Sequence, residues 1–241
     1  MVGPMNTPMA LPPILCDDFI SFVLQHHEAP TTLIICSSRE AFLAELQTNI
    51  RQGYPESPPA SPNDGVPKSL HPFLTPTIHL IAKSRSINLV FVPTLPHLRA
   101  YLTTYAAPLY PVSSPSPSTK PGSQVPILAI WGLARLHRST AEHSAQGVSR
   151  TVAAAVEAAN RAKQRLALAE PSRTDQGNDY SDVEASGGVS GDAWKEHVPL
   201  LSGSVRFGSE DRAWAGKTIE VGRVVAKWCR FVKLDHEASD K

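Results

Sequence analysis

Chemistry-bearing residues are few in this sequence, and the sharpest match is "WAGKT", Trp214 to Thr218. Gly-Lys-Thr ends a phosphate-cradling loop when a glycine stands five residues earlier and a helix follows. Asp211 occupies the first position, and Ile219 onward reads as strand, so a hairpin turn is the better reading. A second candidate is the junction Cys36-Ser37-Ser38-Arg39, where an apolar run meets a helical pattern. It has no glycine to let the backbone curl around an anion and no lysine to meet its charge, so tight ATP binding is not expected there. In "VPILAIWGLARLHR" the position where a strand-end carboxylate would hold magnesium is Trp131, and an indole is no ligand for a hard cation that needs oxygen donors.

Catalytic alternatives are thin. His137, Glu142, His143 and Ser144 lie close in sequence and would suit a hydrolase if they met in space. The plainer reading is a polar helix start capped by Ser144 or Ser139. His26 and His27 have no spaced partner for a metal, and Cys16, Cys36 and Cys229 lack paired zinc spacing. No metal and no cofactor is expected. From Arg206 to Lys233, however, seven basic residues face three acidic ones, interleaved with Phe207, Trp214, Trp228 and Phe231. Cations beside aromatics suit phosphate contact and base stacking. Arg206, Arg212, Lys217, Arg223, Lys227 and Arg230 are therefore the candidate nucleic-acid contacts.

The elements that would position these residues follow from periodicity and from proline. "YPESPPASPNDGVPKSLHP" and "PLYPVSSPSPSTKPGSQVP" hold twelve of the 22 prolines, so these stretches, near 52–72 and 108–125, read as surface insertions. The Gly/Ser/Asp-rich stretch near 171–193 reads the same way. Residues 31–36 form a buried strand, followed by a capping box at Ser37 and Glu40 and a helix with Phe42, Leu43, Leu46 and Ile50 on one face. "TPTIHLIAKS" reads as helix, "INLVFVP" as strand, "TLPHLRAYLTTY" as helix and "VPILAIWGLARL" as strand. A long helix within 144–169 carries the stripe Val148, Val152, Ala155, Val156, Ala159, Ala162 and Leu166. "VPLLSGSVRFGS" and "KTIEVGRVVAKWCRFVKL" then suggest a terminal antiparallel hairpin. Strands alternating with helices imply an α/β fold with a mostly parallel sheet, made mixed by that hairpin. Residues 1–30 are set apart as an N-terminal segment and 31–235 as one domain. With 23 basic and 22 acidic residues, global charge argues for neither nucleic acid nor membrane. No run reaches the ~20 apolar residues that span a bilayer, so a soluble, reduced, intracellular protein is expected.

From Thr31 to Leu234 the order of pieces resembles the RecA-like fold of recombinase paralogues. The resemblance rests on "ILAIWGLARLHR" followed by "EHSAQGVSRTVAAAVEAANRAKQRLALAE", and on Trp194 with the closing strands. Both nucleotide motifs of that family are missing, at Cys36 to Arg39 and at Trp131. The resemblance thus implies a P-loop NTPase fold kept as a pseudo-ATPase, not an enzyme. It further implies a RecA-like or SWIM-domain protein partner, as in Shu-type mediator complexes, with DNA as a second partner, a role in homologous recombination and repair, and a nuclear location. Without the resemblance, the cytoplasm is the default. Subunits of the Elongator accessory ring, acting in tRNA modification, are the rival within the fold; a small α/β hydrolase-like enzyme is the rival outside it. On this reading Arg39→Ala leaves function intact in a folded protein. A carboxylate at Ile34 leaves an unpaired buried ion and unfolds the domain, which circular dichroism of Ile34→Asp would show.

Overall fold

The computed structural model describes residues 7–26, 28–53, 71–75, 77–106, 125–172, 192–201 and 217–232. Its centre is a set of strands that are apolar on both faces. β2 (Thr31–Ile35) and β4 (Ile127–Trp131) are buried at every position, as strands covered by helices above and below must be. β3 (Ile87–Phe91), β2, β4, β5 (Arg165–Ala169), β1 (Met9–Ala10) and β8 (Arg230–Phe231) form one sheet in that order, parallel throughout. Period-two alternation divides the core. Ile34, Leu128, Ile130, Leu166 and Leu168 face one side, where they meet α4 (Leu95–Thr104), α6 (Ala145–Arg161) and α7 (Val221–Val225). Leu33, Ile35, Ile127, Ala129 and Trp131 face the other, against α1 (Cys16–His26) and α2 (Arg39–Gly53). The α/β class is as expected, a three-layer arrangement of helix, sheet and helix. Two shorter α-helices, α3 (Ile78–Ser84) and α5 (Leu133–His137), and two 3-10 turns, Pro72–Leu74 and Ala193–Lys195, complete the helical set among the described residues.

Several local features match the expected chemistry. Ser144 caps α6, its Oγ accepting from the Gly147 amide at 3.1 Å. Thr94 caps α4 and Thr77 caps α3 in the same way. At α2 the cap is Ser38, accepting from the Ala41 amide at 3.1 Å, one residue later than the Ser37 expected. Leu43 lies off the buried face that Phe42 and Leu46 form, and it is exposed.

Three expectations are revised. The long helix within 144–169 is α6 followed by strand β5, so Leu166 belongs to the sheet and not to the helical stripe. The break is Lys163, at φ 57°, with the Gln164 amide donating back to Ala159 O. No glycine marked this left-handed exit, and Leu/Ala composition favours helix, so only pairing with β4 and β1 makes a strand here. β6 (His197–Pro199) and β7 (Thr218–Glu220) pair antiparallel, but as a separate ribbon. After Glu220 the chain forms α7 and then β8, which lies parallel to β1. The stretch 1–30, set apart in sequence, supplies β1 between β5 and β8, and α1 on the sheet face. The insertions near 52–72, 108–125 and 171–193 lie almost wholly outside the described residues. Among the described residues no helix is long and apolar enough to cross a membrane.

Gly147 shows packing overriding propensity. Inside a helix, alanine is favoured over glycine by about 1 kcal/mol, yet a Cβ here would press well inside contact distance of the Glu142 carbonyl oxygen. Gly147→Ala is expected to destabilise the protein by about 1–3 kcal/mol, read as a lower urea midpoint; a raised midpoint would refute the packing argument.

Candidate functional site

In open parallel sheets ligands bind beyond the carboxyl ends of the strands, where neighbouring connections leave in opposite directions. Here β2 leads outward to β3 and β4 leads the other way to β5, so the crevice lies between the ends of β2 and β4. Four strand-to-helix junctions meet this edge, and each bonds some of its amides internally, although Trp131 Nε1 at the end of β4 is buried without a hydrogen-bond partner.

After β4, Gly132 adopts φ 79° and ψ 30°, a left-handed conformation that turns the strand directly into α5. The first amides of α5 are then taken by Glu170, which follows β5. Its carboxylate accepts from Ala134 N at 2.6 Å and from Arg135 N at 3.2 Å. Glu170 is fully buried. Burial pushes its carboxyl up to about 7, against the opposing pull of the two amides and of Arg135 and Arg138. The Arg135 side chain reaches across to α2, pairing with Glu45 at 3.0 Å.

After β2, Cys36 is buried, its thiol pushed well above the usual range by burial and by the Glu170 charge. Its amide donates to Trp131 O at 2.9 Å. Ser37 is half-buried and Arg39 is exposed. After β1, the chain "LPPIL" enters α1. Pro12 and Pro13 have no amide hydrogen, Leu11 N donates to Leu168 O at 2.8 Å and Ile14 N donates to Glu170 O at 3.2 Å. After β3, Thr94 accepts from His97 N at 3.4 Å, and Pro96 stands at the helix start. Trp131 is wholly buried, its ring stacked on Phe19 with centroids 4.9 Å apart.

The hydrolase candidates do not converge. His137 is bonded through Nδ1 to Glu142 O at 3.0 Å and through Nε2 to Thr151 at 3.1 Å, and burial pushes it down to about 4. His143 pairs with Glu196 at 3.2 Å, as does Arg138 at 2.6 Å, while Arg99 holds Glu142 at 3.1 Å. The cluster ties α4, α5, α6 and the segment before β6 together. Among the described residues no group of three or more His, Cys, Asp or Glu is placed to hold a metal.

The basic candidates are dispersed. Lys217 precedes β7, Arg223 lies on α7 and pairs with Glu220 at 3.6 Å, Lys227 follows α7, and Arg230 is on edge strand β8. All four are exposed. Arg206 and Arg212 lie outside the described residues. Trp228 donates to Ser149 Oγ at 3.1 Å, and Phe231 meets Trp194 edge-on. Sequence reasoning missed Glu170, Arg135 and the β1–α1 junction. The acid closing "RLALAE" was a usable signal, hidden by reading that stretch as helix.

The fold defines a three-layer α/β protein whose crevice is sealed by its own side chains. The sequence profile of the SPAC22G7.03-like family matches residues 15–173, and the chain belongs to that family. No curated protein matches it. Among solved structures, a DnaB-like replicative helicase, described with its interactions with primase, is similar at 13% identity and a TM-score of 0.33. The alignment covers 76% of this chain and 45% of the helicase, less than half of that chain's length.

Glu170 makes stability depend on pH. Its folded value, about 7, lies above the ordinary 4.5, so the folded state holds the proton more tightly. Its contribution is therefore most favourable at low pH and is lost as pH rises from about 4.5 through 7, by about 3 kcal/mol in all. Urea unfolding at pH 5 and pH 8 is expected to show wild type losing stability relative to Glu170→Gln across this interval. Parallel profiles would mean that the carboxylate is fully compensated.

Proposed function

We propose that the chain is a non-catalytic, RecA-like subunit that acts in DNA recombination and repair by holding a protein partner. What carries the non-catalytic reading is the state of the crevice: Glu170 occupies the amides of α5, prolines fill the β1–α1 junction, and Trp131 with Phe19 fills the strand end where magnesium chemistry would need oxygen. A phosphate brought here would displace an internal carboxylate and meet an arginine already paired with Glu45. The sheet would then serve as a rigid support for surfaces, and recombination is what the resemblance to recombinase paralogues adds.

Two measurements test this reading. Millimolar MgATP is expected to leave the thermal unfolding midpoint of the full chain unchanged, because a ligand that does not bind the native state cannot stabilise it. A concentration-dependent rise would refute the sealed crevice. Affinity purification of the tagged chain from its native cells is expected to recover a RecA-like or SWIM-domain protein; Elongator components instead would move the protein to tRNA modification.

A further inference from the structure

The two edges of the main sheet are built differently. β8 is two residues long and carries Arg230, with Lys227 just before it, both exposed. Shortness and charge of this kind keep an open ladder from pairing with other chains. β3 has neither device. Its five residues, Ile87 to Phe91, hold no charge and no proline, and they pair with β2 in unbroken register, so no bulge turns the outer side away. In a parallel ladder the amide and carbonyl of alternate residues point the same way. Val92 N donates to Ile35 O at 2.8 Å, which sets Asn88 and Val90 toward β2 as well and leaves the N–H and C=O of Ile87, Leu89 and Phe91 pointing outward. Among the described residues nothing pairs with that outer side. Leu89, at its centre, is 47% exposed.

We propose that β3 pairs with β3 of a second copy of this chain, antiparallel about a two-fold axis at Leu89, so that two sheets become one. The unmet chemistry is a row of backbone donors and acceptors, and an extended strand is what supplies the matching row. Register then selects the chain itself. The outward set, Ile87, Leu89 and Phe91, is centred on Leu89, so an axis there places Leu89 opposite Leu89 and Ile87 opposite Phe91. In an antiparallel pair, residues so placed exchange both of their hydrogen bonds. Every outward amide and carbonyl of the strand finds its partner with no offset, the self-complementarity that a two-fold contact requires. The two Leu89 side chains, on one face of the joined sheet, cover each other. Charge agrees with this register. The strand is neutral, and the nearest cation along the chain, Arg85, is exposed and falls opposite Pro93. Pro93 has no charge and no amide hydrogen, so the ladder ends there without setting cation against cation. The inference goes beyond the reading of the chain as a partner-holding subunit and does not depend on it.

The test is analytical sedimentation of the purified full chain over a range of concentrations. Wild type is expected to pass from monomer to dimer as concentration rises. Leu89→Lys sets two like charges face to face at the axis and is expected to weaken the dimer about tenfold or more. Its circular dichroism is expected to match wild type, because the side chain is exposed in the free chain. A short thiol cross-linker reads the register. Cys16, Cys36 and Cys229 are buried, so an introduced cysteine is addressed selectively. Leu89→Cys is expected to give covalent dimers, whereas Arg85→Cys, also exposed, lies roughly 25 Å from its counterpart in this register and is expected to give none. A wild-type chain that stays monomeric at every concentration would overturn the proposal. So would a dimer that Leu89→Lys leaves intact, or cross-linking through Arg85→Cys as readily as through Leu89→Cys. A photo-reactive amino acid at Leu89 that captures a different protein in native cells, in place of a second copy, would overturn it while leaving the subunit reading intact.

Discussion

A buried carboxylate shared between two backbone amides organises the carboxyl edge of this sheet. Glu170 ends β5, yet its oxygens belong to the start of α5, and its own carbonyl receives the amide of Ile14 at the entry to α1. One residue thereby joins β5, the β4–α5 turn and the β1–α1 junction. An ion placed so deeply is tolerated because backbone donors aim at it and because Arg135 and Arg138 stand close enough to favour its charge. Arg135 in turn reaches Glu45, so the bridging continues to α2 on the opposite sheet face.

The parts of the fold that were legible in sequence are those where one local signal was enough. Continuous apolar runs marked β2 and β4, because strands covered on both faces need no alternation. Ser144 marked the start of α6 because a hydroxyl there meets a free amide of the first turn. β5 was hidden, since "RLALA" has the composition of a helix and its exit from α6 is made by Lys163 in a conformation that usually announces itself with glycine. β1 is two residues long, too short for any period, and exists only because β5 and β8 flank it. The site followed the same division. Trp131 and Cys36 could be read as departures from a pattern along the chain, whereas Glu170 acquires its meaning from amides at Ala134 and Arg135 that only the folded chain brings near.

The same contrast separates the two ends of the sheet. At the carboxyl edge the Glu170 carboxylate, the Cys36 amide and the Arg135–Glu45 pair are bonded internally, while Trp131 Nε1 is buried without a hydrogen-bond partner. At the β3 side, apolar groups that folding would normally bury stay in contact with water. Hydrophobic surface is costly to leave exposed, and here it lies between α1, α2 and α3 beside β3.

β1 and β8 set the order in which the molecule can be made. Met9 lies beside Arg230 and Ala10 beside Phe231, so one of the earliest described strands is flanked by the last. Contacts between segments so distant in sequence form late and slow the search for the native state. β1 precedes β5 and β8 in the chain and gains its pairing only after each of them has been made. Once β5 has formed, the outer edge of β1 stays open until β8 is made, the kind of exposed edge that chaperones shield in nascent proteins.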